Sequence, residues 1–214
     1  MKPLDPQCPT AALLLAAYSK GVFPMADPER GEIDWYEVEP RGVLPLDSFH
    51  VPRTLARLVR QQRFEIRVDS AVSQVIGACA GDRSASNRGW MSAALRHAYE
   101  ELAALGHCHS VEAWLKGHLV GGLYGVRLGG AFFGESMFAR PERGGSNASK
   151  VCLVHLVERL RAGGFRLLDT QMVTSHMEQF GAIEIPARTY RALLKEALAS
   201  PAQWDSSGSA STRS

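Results

Sequence analysis

AFFGESMF, residues 131–138, reads as a β-strand buried on both faces, because every residue but one is aromatic, small or sulfur-bearing. The exception is Glu135. A carboxylate inside such a run must be paired, protonated or turned to a cavity, since burying it alone is strongly unfavourable. Strict alternation sets Phe133, Glu135 and Met137 on one face and Phe132, Ser136 and Phe138 on the other. Gly134 is where a bulge is expected, and a bulge there would turn Phe132 and Glu135 toward one space, an apolar pocket with one acid in it. A plain core strand whose Glu135 pairs with a nearby arginine is the competing reading.

Two further strands precede this stretch, His109–Leu115 and His118–Leu128, turned at Lys116-Gly117, with Gly129-Gly130 leading into AFFGESMF. After it come a loop (RPERGGSN) and a helix capped by Asn147 or Ser149 and running to about Arg161. Leu153, Leu156, Val157 and Leu160 give that helix a core face. Gly163-Gly164 stops it, and Phe165–Met172 (FRLLDTQM) is the next strand. Three consecutive strands followed by strand–helix–strand is the layout of an acetyltransferase-like (GNAT) core. The expected class is therefore α/β (α+β), a mixed sheet flanked by helices.

Upstream, Thr10–Lys20 is a short apolar helix capped by Thr10 and stopped by Gly21. The extended, proline-broken chain after it completes a small N-terminal lobe, residues 1–39, closing near Pro40. The catalytic domain is expected over 40–200. It opens with an amphipathic helix, Pro52–Gln62, and a strand, Arg63–Val68, with Asp69 capping a helix through Cys79. A polar loop, Gly81–Gly89, ends at Trp90, which either offers a stacking platform or plugs a core edge. Ser92–Leu105 is helical; Thr174–Phe180, Ile183–Ile185 and Ala187–Ala199 read as helix, strand and helix. The Ser-rich tail, 201–214, is expected to be disordered.

At 214 residues the chain can bury a sizeable core, and 45% hydrophobic with 21% charged residues is ordinary for a globular protein. No run is long and apolar enough to span a membrane, and the N-terminus lacks the order of a secretory signal. The four cysteines show no C-x-x-C spacing, which fits a reduced, cytoplasmic setting. Of seven histidines only His107 and His109 lie close together, without an evident third ligand, so no metal is expected. A net charge of +2 is too small to name a polyanionic partner, so its distribution matters more. Arg53, Arg57 and Arg60 fall on one helix face and Arg63 extends it. The stripe is either a solvated face or a phosphate-binding one.

FRLLDTQM repeats the oddity of the first stretch, with Leu167, Asp169 and Gln171 on one strand face. The crossover helix would set this strand beside AFFGESMF and gather Glu135, Asp169 and Gln171. Acid and amide groups in an apolar wall suit recognition of an amine and can hold a nucleophilic amine against an ester. A satisfied polar network in the core is the alternative.

The runs AYSKGVFPM, HSVEAW, LVGGLYGV, FFGESMF, NASK, LLDTQMVTSH and FGAIEIPARTY, in this order, closely resemble the bacterial leucyl/phenylalanyl-tRNA–protein transferase family. The resemblance runs from about Ala11 to Leu198. It implies a small N-terminal domain on a GNAT-like domain, and an enzyme without cofactor that acts as a cytoplasmic monomer. The implied reaction moves leucine or phenylalanine from aminoacyl-tRNA to the α-amino group of proteins beginning with Arg or Lys, marking them for proteolysis. It assigns Asp169 and Gln171 to the reaction centre and Glu135 to the acceptor side. The pocket for the aminoacyl side chain maps onto Leu123, Phe132, Leu153, Leu156, Leu160 and Leu168, with Met137 beside it, and the stripe Arg53, Arg57, Arg60 and Arg63 onto the tRNA. Trp90 keeps a Trp of the family, whereas Met25 stands where a Trp helps hold the terminal adenosine. Pocket positions that are Phe in some members are Leu156 and Leu160 here, which leaves the Leu, Phe or Met preference open. An acyl-CoA-dependent acetyltransferase is a second reading and a silent tRNA-binding module a third. Counting the pyrophosphate-loop register from Arg140 puts Arg143 where its first glycine belongs, which speaks against coenzyme A. Asp169 and Gln171 speak against a silent module.

Overall fold

The computed structural model describes residues 8–27, 29–81 and 91–206. Trp90, the loop before it and residues 207–214 therefore lie outside the described residues. The chain begins with α1 (Ala11–Tyr18) and a small antiparallel hairpin, β1 (Phe23–Ala26) with β2 (Ile33–Tyr36). Thr10 caps α1 by accepting from the Leu13 amide, and Gly21 closes it at φ +79°, a left-handed conformation that costs glycine little.

A seven-stranded sheet forms the body: β3 (Arg41–Val43), β4 (Glu65–Val68), β5 (Cys108–Leu115), β6 (His118–Leu128), β7 (Ala131–Ala139), β8 (Leu167–Gln171) and β9 (Ile183–Ile185). Their spatial order is β4-β5-β6-β7-β8-β3-β9. β4 to β7 form an antiparallel meander, and α5 (Ala148–Ala162) carries the chain over to β8, which pairs with β7 in parallel. This is the anticipated mixed sheet with one crossover. β3 was not anticipated as part of it: the segment leaving the N-terminal hairpin inserts between β8 and β9.

Two apolar layers lie on the two sides of the sheet. One gathers α1, α3 (Val72–Gly81), α4 (Ala93–Ala104) and α7 (Ala187–Leu198) over Tyr124, Val126 and Phe133. The other packs α5 and α2 (Arg53–Arg60) over Val111, Leu123, Phe132 and Leu168. Nine residues of α5 are buried, more than a one-face stripe supplies, because the helix is also enclosed by Leu44, Leu46 and Phe180 from the flanking loops.

Three local expectations are corrected. Asp69 does not cap α3; it sits at φ +53° and accepts from the Ser110 amide instead. The α3 start is held by buried Glu112, whose Oε1 accepts from the Ala71 amide at 2.8 Å. Asn147 occupies the N-cap position of α5 at φ +63°, but its side chain makes no capping bond. The tail reading does not hold for 201–206: Ala202 is buried and Trp204 packs onto the α5 layer.

Candidate active site

The bulge anticipated at Gly134 is present, and it decides where the acid points. Tyr124 pairs with Ser136 and Gly125 with Gly134, leaving Glu135 as the extra residue. The side reached is opposite to the one expected. Glu135 joins Phe133 on the α1–α4 layer, while Phe132 lies in the α5 layer. An extra residue inverts the alternation downstream, so Met137 shares the face of Phe132 and Phe138 that of Phe133.

Among the described residues Glu135 pairs with no arginine. Tyr18 Oη of α1 donates to its Oε1 at 2.7 Å, Tyr99 Oη of α4 to its Oε2 at 2.9 Å, and Gln171 Nε2 to Oε1 at 3.3 Å. The two tyrosine hydroxyls also touch each other at 2.8 Å. Two hydroxyl protons cannot fill three contacts, so one pair of lone pairs faces another while Glu135 is ionised. Glu135 as a residue is half-buried, with its carboxyl held among Tyr18, Tyr99 and Gln171. That burial raises its pKa from an ordinary 4.5 to about 7; the tyrosine bonds pull it down, and the charge of Asp169 pushes it up again. Burial and the neighbouring carboxylate hold both tyrosines well above the ordinary phenol range, so they stay donors.

Asp169 is fully buried and answers to Arg41. Arg41 Nε donates to Oδ1 at 3.0 Å and Nη2 to Oδ2 at 2.8 Å, a bidentate clasp. The remaining nitrogen, Nη1, donates to Gly21 O at 2.9 Å, and the guanidinium lies between the rings of Phe23 and Tyr190, 4.9 and 4.7 Å away. Burial works against the Arg41 charge, but the bonds and charge of Asp169 outweigh it and its pKa moves upward. Tyr190 Oη completes the carboxylate with a 2.5 Å bond to Oδ2.

The side-chain amide of Gln171 is held by Glu135 and not by Asp169. Asp169 accepts from the Gln171 backbone amide, at 2.7 Å to Oδ1. That bond holds Gln171 at φ +63°, where a residue with a Cβ is strained and tends to mark a functional site. The chain then turns sharply, Met172 N donating to Thr170 O at 2.7 Å. Gly42 of β3 makes room for the turn: a Cβ there would stand 2.5 Å from the Met172 carbonyl carbon. Glu135, Asp169 and Gln171 are thus brought together, with the Gln171 amide pinned by one acid and its backbone by the other.

Leu123, Phe132, Leu153, Leu156, Leu160 and Leu168 form one cluster between the sheet and α5, each at most 3% exposed, with Met137 packed against it. The sheet separates this cluster from the Glu135 carboxylate. Met25 lies on β1, partly buried against the α1 layer. Arg53, Arg57, Arg60 and Arg63 are all exposed, and Arg63 Nη2 donates to Gly144 O at 2.8 Å. Arg60 and Arg63 border a cavity of about 1000 Å³ between β4 and α5, which shares no lining residue with the Glu135 centre. Among the described residues no group of three or more His, Cys, Asp or Glu side chains is placed to hold a metal ion. No helix among them is long and apolar enough to cross a membrane.

Sequence reading missed Arg41, Tyr18, Tyr99 and Tyr190. A signal existed for Arg41: a lone charge in the short apolar segment between Pro40 and Pro45.

The family model described as leucyl/phenylalanyl-tRNA protein transferase matches residues 43–195, and the model of that family's N-terminal domain matches residues 8–39. Among solved structures, the chain is similar to L-PGS from Bacillus licheniformis, at 10% identity and TM-score 0.43, covering 72% of this chain and 55% of that one. It is also similar to a GCN5-related N-acetyltransferase-like protein from Streptococcus suis, at 18% identity and TM-score 0.39, covering 82% and 64%. A ribosomal-protein-alanine N-acetyltransferase from Brucella melitensis gives 14% identity and TM-score 0.37, covering 54% and 84%. Such weak likenesses bear on neither substrate nor activity.

Proposed function

The chain belongs to the leucyl/phenylalanyl-tRNA protein transferase family, and from that premise we propose that it moves leucine or phenylalanine from aminoacyl-tRNA to the α-amino group of proteins beginning with Arg or Lys. The product is an N-terminus marked for degradation. The observation that carries the reading is Gln171, strained at φ +63° and held at backbone and amide by two different acids.

An aminoacyl ester is already activated, so catalysis consists mainly of holding a neutral amine in line with its carbonyl carbon. Gln171 donates through Nε2 to Glu135, which leaves Oε1 to accept an N–H of the attacking amine. As the C–N bond forms and the C–O bond to the tRNA ribose breaks, the amine proton passes to the departing ribose hydroxyl. Glu135 lies where it offsets the charge developing on the nitrogen. Asp169 acts through Gln171, as the anchor of its backbone. Across the sheet, the cluster of Leu123, Phe132, Leu153, Leu156, Leu160 and Leu168 receives the aminoacyl side chain, and Met25 flanks the terminal adenosine. Arg53, Arg57, Arg60 and Arg63 meet tRNA phosphates.

The test is Gln171→Ala, assayed with Leu-tRNA and an Arg-initial peptide. The expected result is a kcat lower by about ten- to a thousandfold with donor KM little changed, the range of a lost positioning contact. Near-full kcat in a folded variant would refute the assignment.

A further inference from the structure

We propose that Trp204 is a positioning residue for donor selection: it fixes the ring of Phe132 and so sets how deep the aminoacyl side chain can reach. The inference rests on the reading that the apolar cluster around Phe132 receives that side chain.

Phe132 is fully buried, and its ring is confined on two sides. On one side lies Gly125, where a Cβ would come within 2.4 Å of Phe132 Cε1; the ring occupies the room that a larger residue would take. On the other, the Trp204 indole stacks on it, centroids 5.5 Å apart and planes at 15°. Gly125 belongs to the β6 backbone and leaves the ring no room to move that way, whereas the indole is a side chain that a substitution can remove.

Trp204 is itself fixed by contacts that look built for the purpose. Its Nε1 donates to Asp69 Oδ2 at 2.8 Å, and the same oxygen meets His109 Nδ1 at 2.9 Å. The His109 ring stacks on the indole at 4.5 Å, and Phe165 meets it edge-on. The segment that carries Trp204 is tied down at both neighbours, with Gln203 N donating to Gly163 O at 2.9 Å and Arg159 donating to Asp205 O. Arg159 also lies over the indole, 5.7 Å from its centroid.

The consequence concerns discrimination. Leu153 stands near the start of α5 and Leu160 near its end. Phe132 pairs with Leu168, deeper along the sheet than the Leu123–Met137 pair. A side chain entering from the Gln171 end therefore meets Phe132 late, and its length decides whether it meets Phe132 at all. Removing the indole lets the ring fall back and lengthens the site.

The experiment charges one tRNA body with Leu, Phe or Trp and measures kcat/KM on an Arg-initial peptide for wild type, Trp204→Ala, Trp204→Phe and Phe132→Ala. Ratios between donors are taken within one preparation, so any unfolded fraction cancels. Trp204→Ala is expected to raise the Phe:Leu and Trp:Leu ratios by about tenfold or more, the scale of apolar-pocket discrimination. Trp204→Phe keeps a ring behind Phe132 and should stay within about threefold of wild type. Unchanged ratios in Trp204→Ala alongside shifted ratios in Phe132→Ala would overturn the inference and leave the pocket reading standing. Unchanged ratios in both would overturn the pocket reading and the inference with it. An equal shift in Trp204→Phe would also overturn it, by tracing the effect to the Asp69 bond rather than the stack.

Discussion

Replacing Arg41 by alanine is expected to destabilise the protein by about 3–5 kcal/mol, the cost of leaving one partner of a buried ion pair behind. The structure places this change near the upper end. Asp169 is fully buried and, among the described residues, would keep only the Tyr190 hydroxyl and the Gln171 amide as donors, after losing a bidentate clasp at 2.8 and 3.0 Å. The same deletion removes the bond to Gly21 O and the guanidinium sandwiched by Phe23 and Tyr190. A domain of this kind has about 5–15 kcal/mol in total, so the variant should still fold, with a much lower midpoint. Lysine at this position is expected to rescue little, because one ammonium cannot reach Asp169 bidentately and Gly21 O at once. The assay is urea unfolding followed by tryptophan fluorescence, with stability read by linear extrapolation. Arg41→Ala in an Asp169→Ala background should cost far less than in the wild type, since no orphaned carboxylate remains. A loss under about 1 kcal/mol for Arg41→Ala, or strict additivity in the double mutant, would refute the buried-pair reasoning.

Three further outcomes are expected. With a folded-state pKa of about 7 against an ordinary 4.5, Glu135 binds more protons in the native than in the unfolded chain, so its contribution makes stability fall as pH rises through that window, by about 3 kcal/mol at most. Urea unfolding at pH 5 and pH 8 should show that decline in the wild type and a flatter profile in Glu135→Gln; parallel profiles would sink the idea. Gly42→Ala should lower single-turnover transfer by about tenfold or more, because its Cβ would press on Met172 2.5 Å away and shift Gln171; an unchanged rate would show that the turn tolerates the shift. Replacing Arg57 and Arg60 by alanine should raise KM for charged tRNA and reduce the salt slope by about 2, while turnover of an aminoacyl-adenosine donor holds; equal losses with both donors would make the stripe structural.

The meander, the crossover and the bulge were legible because each depends on local pattern: β-rich runs, paired glycines at turns, and a Gly–Glu step inside an apolar strand. The direction of the bulge was not, since one extra residue inverts every side chain beyond it and the pattern alone does not say on which side of Gly134 it falls. Arg41 and Asp169 are 128 residues apart, and a three-residue strand carries too little periodicity to reveal its neighbours. The rule that singled out Glu135 applies equally to Arg41, a charge in an apolar segment that needs an opposite charge. Trp204 hid in a composition that reads as unstructured: a single aromatic in a Ser-rich stretch gains its place from residues distant in sequence, Phe132, His109 and Asp69 among them.

The insertion of β3 between β8 and β9 has a temporal side. During synthesis the N-terminal segment leaves the ribosome long before its partners exist, because Asp169 follows Arg41 by 128 residues. At about 5–20 residues per second, the delay is roughly 6–26 s. For that interval Arg41 has no carboxylate to clasp and β3 has no edge to join, while β4 to β7 can already pair among themselves. The β8-β3-β9 end of the sheet can therefore close only after β8 is made, and the Arg41–Asp169 clasp forms no earlier than that. A nascent chain that stalls before β8 has the strands β4 to β7 but not the clasp.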